Sequence, residues 1–137
     1  MTCTFFGHKD TPTQIESKLK STLLELIENK GVNVFYIGNH GNFDRMATKI
    51  LKDLKIIHPH INYTVVLAYL PNTEYDCETI FPEGIENVPP RFAISYRNRY
   101  MVDTSNYVIT YVTRLFGGAA QFKELALKKG KNVIELS

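Results

Sequence analysis

The sequence has no tryptophan, only two cysteines and almost no net charge. Cys3 and Cys77 build neither a disulfide framework nor a zinc ligand set, so two reduced thiols are expected. A net charge of +2 by itself neither requires nor excludes nucleic acid as a partner. The longest apolar run, Val65 to Leu70, is far too short to cross a bilayer, and no membrane association is predicted.

A targeting segment is also lacking, because Met1 to Asp10 has no basic region followed by a long apolar one. The protein is therefore expected to be cytoplasmic. Of its 137 residues 44% are hydrophobic, which is ordinary for a globular protein and sufficient for a substantial core. Residues 1–137 are predicted to form a single domain.

Hydrophobic periodicity predicts strands that alternate with helices along the chain. The order β-α-β-α-β-loop-α-β-α-β predicts the α/β class, as a three-layer Rossmann-like fold with a mostly parallel five-stranded sheet. Thr11 is expected to cap the first helix. The segment from Pro71 to Pro90 holds most of the prolines and is expected to be an irregular loop, long enough for a functional flap. The predicted strands are Thr2–Phe6, Val32–Ile37, Tyr63–Leu70, Asn106–Thr113 and Asn132–Leu136.

Three loops with glycine follow predicted strands, and a parallel sheet brings such loops to one edge, where ligands bind. In the first loop Gly7 permits a close approach of the backbone, while His8 and Lys9 supply hydrogen-bond donors. A simple polar turn explains this loop equally well. The residues predicted to bind a ligand are Gly7, His8, Lys9, Gly38, Asn39, His40, Gly41, Asn42, Asp44, Gly117, Gly118, Ala119 and Gln121.

The second loop, residues 38–44, has the composition of a phosphate cradle. Asp44 follows it in the first turn of a helix, where a carboxylate caps backbone amides or accepts hydrogen bonds from ribose hydroxyls. In the third loop Gly117 and Gly118 allow a helix N-terminus to face a phosphate, although a tight turn explains them nearly as well. Neither the pattern G-x-G-x-x-G nor a Walker A lysine is present, and no cofactor is predicted.

The helix predicted from about Pro90 carries Arg97 on a face that is otherwise apolar. Such an arginine lies at the end of that face or pairs with a ligand or an acid. Arg97 is therefore predicted to bind a phosphate or a carboxylate through its bidentate fork. His58 and His60 have no evident third ligand nearby, so no metal site is predicted.

Considered together, the segments Phe6–Lys9, Ile37–Asp44, Arg97–Met101 and Gly117–Ala119 resemble the SLOG superfamily. This superfamily takes in the DNA-processing DprA proteins and the LOG cytokinin-activating enzymes, and the likeness is greatest to small stand-alone bacterial members. The resemblance implies a Rossmann-like fold that binds a nucleotide or a nucleotide-derived ligand. It implies a ligand-sensing or regulatory module as the leading function.

The LOG enzymes are phosphoribohydrolases, so the resemblance implies an alternative function: release of the base from a nucleoside monophosphate. Their arginine four residues before a methionine matches Arg97 and Met101. Their loop P-G-G-x-G-T-x-E-E matches in its two leading glycines and in Glu124, but Lys123 stands at the first acid. The residues predicted to be catalytic for this alternative are Arg97, Glu124 and Glu86.

The partner expected from these observations is a nucleotide-like small molecule. LOG-type relatives dimerise through the helix that carries the arginine, so the resemblance implies that a homodimer can form. Binding of single-stranded DNA, as in DprA-like proteins, is a third hypothesis. The small net charge and the absence of a basic stripe argue against nucleic acid as a partner.

Overall fold

Six strands in one parallel sheet and four α-helices make up the fold, which a computed structural model describes for all 137 residues. Short 3-10 turns at Thr13–Ile15, Ile85–Asn87 and Pro90–Phe92 supplement the helices. The strands are β1 (Thr2–Gly7), β2 (Val34–Ile37), β3 (Asn62–Val66), β4 (Glu78–Ile80), β5 (Tyr107–Tyr111) and β6 (Asn132–Glu135). The helices are α1 (Glu16–Asn29), α2 (Asn42–Ile57), α3 (Ala93–Thr104) and α4 (Gly118–Lys128).

The strand order is β4-β3-β2-β1-β5-β6, and every neighbouring pair is parallel. In chain order, β2, β3 and β4 extend the sheet on one side of β1. Strands β5 and β6 then extend it on the other side. The order thus reverses between β1 and β5, where Gly7 is paired with Tyr111 at the carboxyl edge. Ligands of open parallel sheets bind at such a point of reversal.

The predicted α/β class and Rossmann-like layering are confirmed, but the predicted count of five strands was wrong. The sixth strand, β4, lies within the segment that was expected to be a loop. It has only three residues, two of them exposed, and therefore shows no alternating apolar pattern. The predicted third strand was too long, since β3 ends at Val66 and the apolar Tyr69 and Leu70 lie exposed beyond it.

Thr11 does not cap α1, contrary to the prediction. No side chain caps that helix, and the turn Thr13–Ile15 separates it from Thr11. The buried Thr11 hydroxyl instead donates to the carbonyl of His8 at 2.6 Å, and its backbone N–H donates to the same oxygen at 3.2 Å. The capping prediction failed because this hydroxyl closes the turn after β1.

The sheet separates two hydrophobic clusters, one beneath each helical layer. Phe5 belongs to a cluster of 18 buried residues under α1 and α2, and the next residue, Phe6, belongs to a cluster of seven under α3 and α4. This alternation follows from the period of two in a strand. No helix combines the length and the apolar composition that a membrane span requires.

Candidate functional site

A cavity of about 530 Å³ opens beyond the carboxyl ends of β1 and β5, where the strand order reverses. Its volume lies in the usual range for small-molecule sites. The walls come from the end of β1 and its loop, the start of α2, one side of α3 and the loop before α4. The lining residues are Phe5, Phe6, Gly7, His8, Lys9, Asp10, His40, Asp44, Ile94, Arg97, Asn98, Met101, Arg114, Phe116, Gly117, Gly118 and Ala119.

The N-terminus of α4 presents unused backbone donors to this cavity. Gly117 precedes the helix with a φ of +97°, a conformation that favours glycine, and no side chain caps the helix. The N–H groups of Gly118, Ala119 and Ala120 have no acceptor in the protein, since the first bond is donated by Gln121 to the Gly117 carbonyl at 3.0 Å. Free amides and the positive end of the helix dipole together favour an anion.

Arg97 on α3 is a buried donor that is only partly satisfied. Its side chain borders the cavity although the residue is only 2% exposed. Nη1 donates to Asn39 Oδ1 at 3.1 Å and to the Val66 carbonyl at 2.9 Å, and Nε donates to Asn98 Oδ1 at 2.8 Å. Nη2 makes no hydrogen bond in the protein. Ser105 Oγ is the only fully buried side-chain polar atom without a partner, so Nη2 is accessible from the cavity and is suited to a ligand acceptor.

The positive charge of Arg97 has no direct counter-ion, because no ion pair within 4.0 Å includes it. Burial lowers the pKa of Arg97, while the negative charge of Asp44 opposes that shift. A guanidinium starts from so high a pKa that it remains charged. A guanidinium without an ion-pair partner and the start of α4 thus line one cavity, and both supply donors that suit an anion.

Asp44, in the first turn of α2, supplies a carboxylate to the same cavity. Its Oδ2 accepts the backbone N–H of His40 at 2.9 Å. Burial raises the pKa of Asp44 to about 6, although the His40 amide and the charge of Arg97 act to lower it. A Cβ at Gly38 would lie 2.9 Å from Asp44 Oδ2 and 3.3 Å from Arg97 Cζ. Glycine at that position therefore makes room for the two charged groups.

The first loop, which follows β1, is hydrogen-bonded to the loop that follows β5. His8 is buried, and its Nε2 accepts the backbone N–H of Thr113 at 2.9 Å, which requires a neutral imidazole with its proton on Nδ1. Burial lowers the pKa of His8, and the charge of Arg114 lowers it further. A Cβ at Gly7 would lie 2.2 Å from Phe43 Cγ, so packing alone requires this glycine.

The second loop is joined to the first by a backbone hydrogen bond and by close packing. The Asn42 N–H donates to the Lys9 carbonyl at 2.9 Å, and the His40 N–H is taken by Asp44. Gly41 has a φ of +102°, and a Cβ there would lie 2.5 Å from Lys9 Cα. Only His40 and Asp44 of this loop border the cavity. The predicted residues Gly38, Asn39, Gly41 and Asn42 lie behind its wall.

Three other predicted residues lie away from the cavity. The Glu124 side chain is 70% exposed, and its nearest cation is Lys128 Nζ at 3.8 Å. Glu86 borders a separate apolar groove, and Gln121 is exposed on α4. Of the three residues predicted to be catalytic, the structure places only Arg97 in the cavity.

The cavity is also lined by residues that were not predicted from the sequence to bind a ligand. Asp10 and Arg114 form an ion pair at its mouth. The positions of the others carried a signal, because they lie about one helical turn or less from Arg97, immediately before Gly117, or on β1 immediately before Gly7. The residues not selected are Phe5, Phe6, Asp10, Ile94, Asn98, Met101, Arg114 and Phe116.

No family model and no curated protein matches the chain. Among solved structures, the chain is similar to the X-ray structure of DNA processing protein A (DprA) from Streptococcus pneumoniae, with a TM-score of 0.71 and 14% identity. The match covers 98% of this chain and 49% of that one, so this chain spans about half the length of its structural relative. The likeness establishes a DprA-like Rossmann fold.

Proposed function

We propose that this protein binds a nucleotide or a nucleotide-derived ligand and acts as a ligand-sensing or regulatory module. The observation that carries the proposal is that the unpaired Nη2 of Arg97 and the free N–H groups at the start of α4 border one cavity. Both kinds of donor recognise phosphate oxygens. The position at the strand-order reversal supports the same proposal.

The remaining polar groups suit the sugar and the charge of such a ligand. Lys9, Arg97 and Arg114 bring three cations to the cavity, against the carboxylates of Asp10 and Asp44. Asp10 is already committed to Arg114, which leaves a net positive site. Asp44 Oδ1 has no partner in the protein and is free to accept a ribose hydroxyl.

We propose binding in preference to base release. Cleavage of an N-glycosidic bond develops positive charge on the sugar. Enzymes that cleave glycosides stabilise this charge with a carboxylate close to the reacting carbon. The predicted Glu86 and Glu124 do not border the cavity. Asp44 is present, but the position of one carboxylate supports sugar binding without specifying a reaction.

A phosphate of a DNA strand would offer the same chemistry as a free nucleotide, and the structural relative is named for DNA processing. Strand binding relies on a track of cations along the backbone and falls steeply with salt. The free donors of this protein lie instead within one cavity of about 530 Å³. We therefore favour a free nucleotide as the ligand. The experiment below compares free nucleotides with a DNA strand.

Isothermal titration calorimetry tests the proposal with nucleoside mono- and diphosphates, ADP-ribose, a cyclic dinucleotide and a short oligothymidylate. Ala119→Glu places a carboxylate at the start of α4, where the helix tolerates it but the ligand phosphate is repelled. We expect the best nucleotide to bind at least about tenfold more weakly to this variant. The matched control, Ser17→Glu, adds the same charge to the first turn of α1 outside the cavity and should bind normally.

Arg97→Met is expected to weaken binding to a similar degree, provided that circular dichroism shows the variant to be folded. Absence of binding by every nucleotide to the folded wild type contradicts the proposal, as does an Ala119→Glu variant that binds as well as the wild type. Binding of oligothymidylate alone, with a steep salt dependence, would assign the phosphate to a nucleic-acid strand instead.

A further inference from the structure

Phe116 is an exposed aromatic side chain at the mouth of the cavity. It has no part in the hydrophobic core of the protein. It is 75% exposed and borders the cavity immediately before Gly117. It stacks on no other aromatic ring and belongs to neither hydrophobic cluster. A large apolar ring exposed at the edge of a cavity offers a surface against which a ligand can pack.

Ile94 supplies a second apolar surface of the same kind. It lies on α3 one turn before Arg97, borders the cavity, and is only partly buried. It too is outside both hydrophobic clusters. Along this side of α3 exposure rises from the buried Met101 through Arg97 to Ile94, so Ile94 lies toward the open end. Phe116 and Ile94 are thus exposed apolar surfaces of a cavity whose lining also includes the Asp10–Arg114 ion pair.

We infer that Phe116 and Ile94 form a subsite for an aromatic base, with the base packed against the Phe116 ring. This inference rests on the proposed function, because the phosphate bound at α4 and Arg97 fixes the other end of the ligand. Phe116 directly precedes the glycine that opens α4, and it borders the same cavity as the phosphate donors. The ligand class is then a nucleoside phosphate that retains its base, rather than a sugar phosphate.

The expected effect of the subsite is a difference in affinity between ligands with and without a base. Stacking on an aromatic side chain strengthens binding by about ten- to a hundredfold per base. The four common nucleoside monophosphates are compared by calorimetry with ribose 5-phosphate, which has the phosphate and sugar alone. We expect at least one monophosphate to bind about tenfold or more tightly than ribose 5-phosphate.

Substitutions at Phe116 separate stacking from a general effect on the loop. Phe116→Ala should remove the preference for the base and leave ribose 5-phosphate unchanged, while Phe116→Tyr should retain the preference. The matched control is Leu115→Ala, because Leu115 is fully exposed in the same loop but does not border the cavity. Since the chain has no tryptophan, Phe116→Trp introduces a single reporter. Its fluorescence should change with the monophosphate and not with ribose 5-phosphate.

The outcomes separate this inference from the proposed function. Equal affinities of the wild type for ribose 5-phosphate and all four monophosphates, with binding still lost in Ala119→Glu, overturn the base subsite and leave the phosphate site standing. A Phe116→Ala variant that loses both ligands equally also overturns the subsite. Failure of the folded wild type to bind any phosphate ligand contradicts both proposals.

Discussion

At the scale of single residues, ionised Asp44 lowers the free energy of unfolding of the protein. Its pKa is raised to about 6 by burial, from an ordinary value of 3.8. Between these two values the folded protein binds more protons than the unfolded chain, so the free energy of unfolding falls as the pH rises. Above about pH 6 the full cost is present.

We therefore predict that Asp44→Asn stabilises the protein at pH 7 by roughly 1–2 kcal/mol and has little effect at pH 4, where the carboxyl is protonated in the folded state. Urea unfolding at the two pH values measures the difference. Asp53→Asn, at an exposed position of the same helix, is the control and should change neither value. A substitution at Asp44 that destabilises equally at both pH values would disagree with this account.

Three glycines near the site also show what single residues decide. Gly7, Gly38 and Gly41 each leave too little room for a Cβ, because Phe43, the two side chains of Asp44 and Arg97, and Lys9 respectively occupy that space. Their presence in the sequence suggested a direct role in binding a phosphate. The structure gives all three a packing role, and of the three only Gly7 borders the cavity. Sequence alone does not separate these roles, since the neighbours responsible come from distant parts of the chain.

At the scale of elements, Glu135 at the end of β6 fastens β5, β6 and α4 together. Its carboxylate accepts the Thr110 hydroxyl at 2.8 Å and the Val112 N–H at 3.2 Å, and it pairs with Lys123 Nζ at 2.6 Å. Burial acts to raise the pKa of Glu135, but the hydrogen bonds from Lys123, Ser137 and Thr110 outweigh it and lower the pKa to about 2.

Because the pKa of Glu135 in the folded state lies below the ordinary value of 4.5, the stabilisation is complete above about pH 4.5 and is lost as the pH falls toward 2. We expect Glu135→Gln to cost roughly 1–2 kcal/mol at pH 7, an amount reduced by the partial exposure of the carboxylate. Urea unfolding should show the difference shrinking at pH 3. Glu74→Gln, at an exposed position, is the control, and an equal loss from both would count against the network.

The elements themselves were largely predictable. Buried strands such as β1 and β5 are short continuous apolar runs, and the helices carry apolar residues at helical spacing, so their order follows from pattern alone. Edge strand β4 lacked such a pattern because it is short and half exposed. The position of Arg97 at the cavity was predictable, because the rest of its helix face is apolar. The positions of Glu86 and Glu124 away from the cavity were not predictable. The sequence does not determine which side of each element faces the point where the strand order reverses.

At the scale of the whole molecule, the cavity joins loops from both halves of the sheet. A ligand bound to the folded state alone stabilises the entire domain, by about 2.7 kcal/mol at a concentration of 100 times its Kd. For a domain of this size we expect the best nucleotide to raise Tm by roughly 10 °C under that condition. Scanning calorimetry measures the shift. At the same ligand concentration it should fall by about half or more in Ala119→Glu and persist in Ser17→Glu, and a shift of equal size in both variants would place the ligand elsewhere.

The central seam between β1 and β5 also has a consequence for biosynthesis. The Thr2 N–H is bonded to the side chain of Asn106, 104 positions further along the chain. Strand β1 leaves the ribosome well before β5, so it keeps one edge without its partner until β5 has emerged. An unpaired edge is a template for association with other chains, and pairing over such a separation is slow. A nascent chain stalled before residue 107 would consequently be prone to aggregate and unable to recognise its ligand.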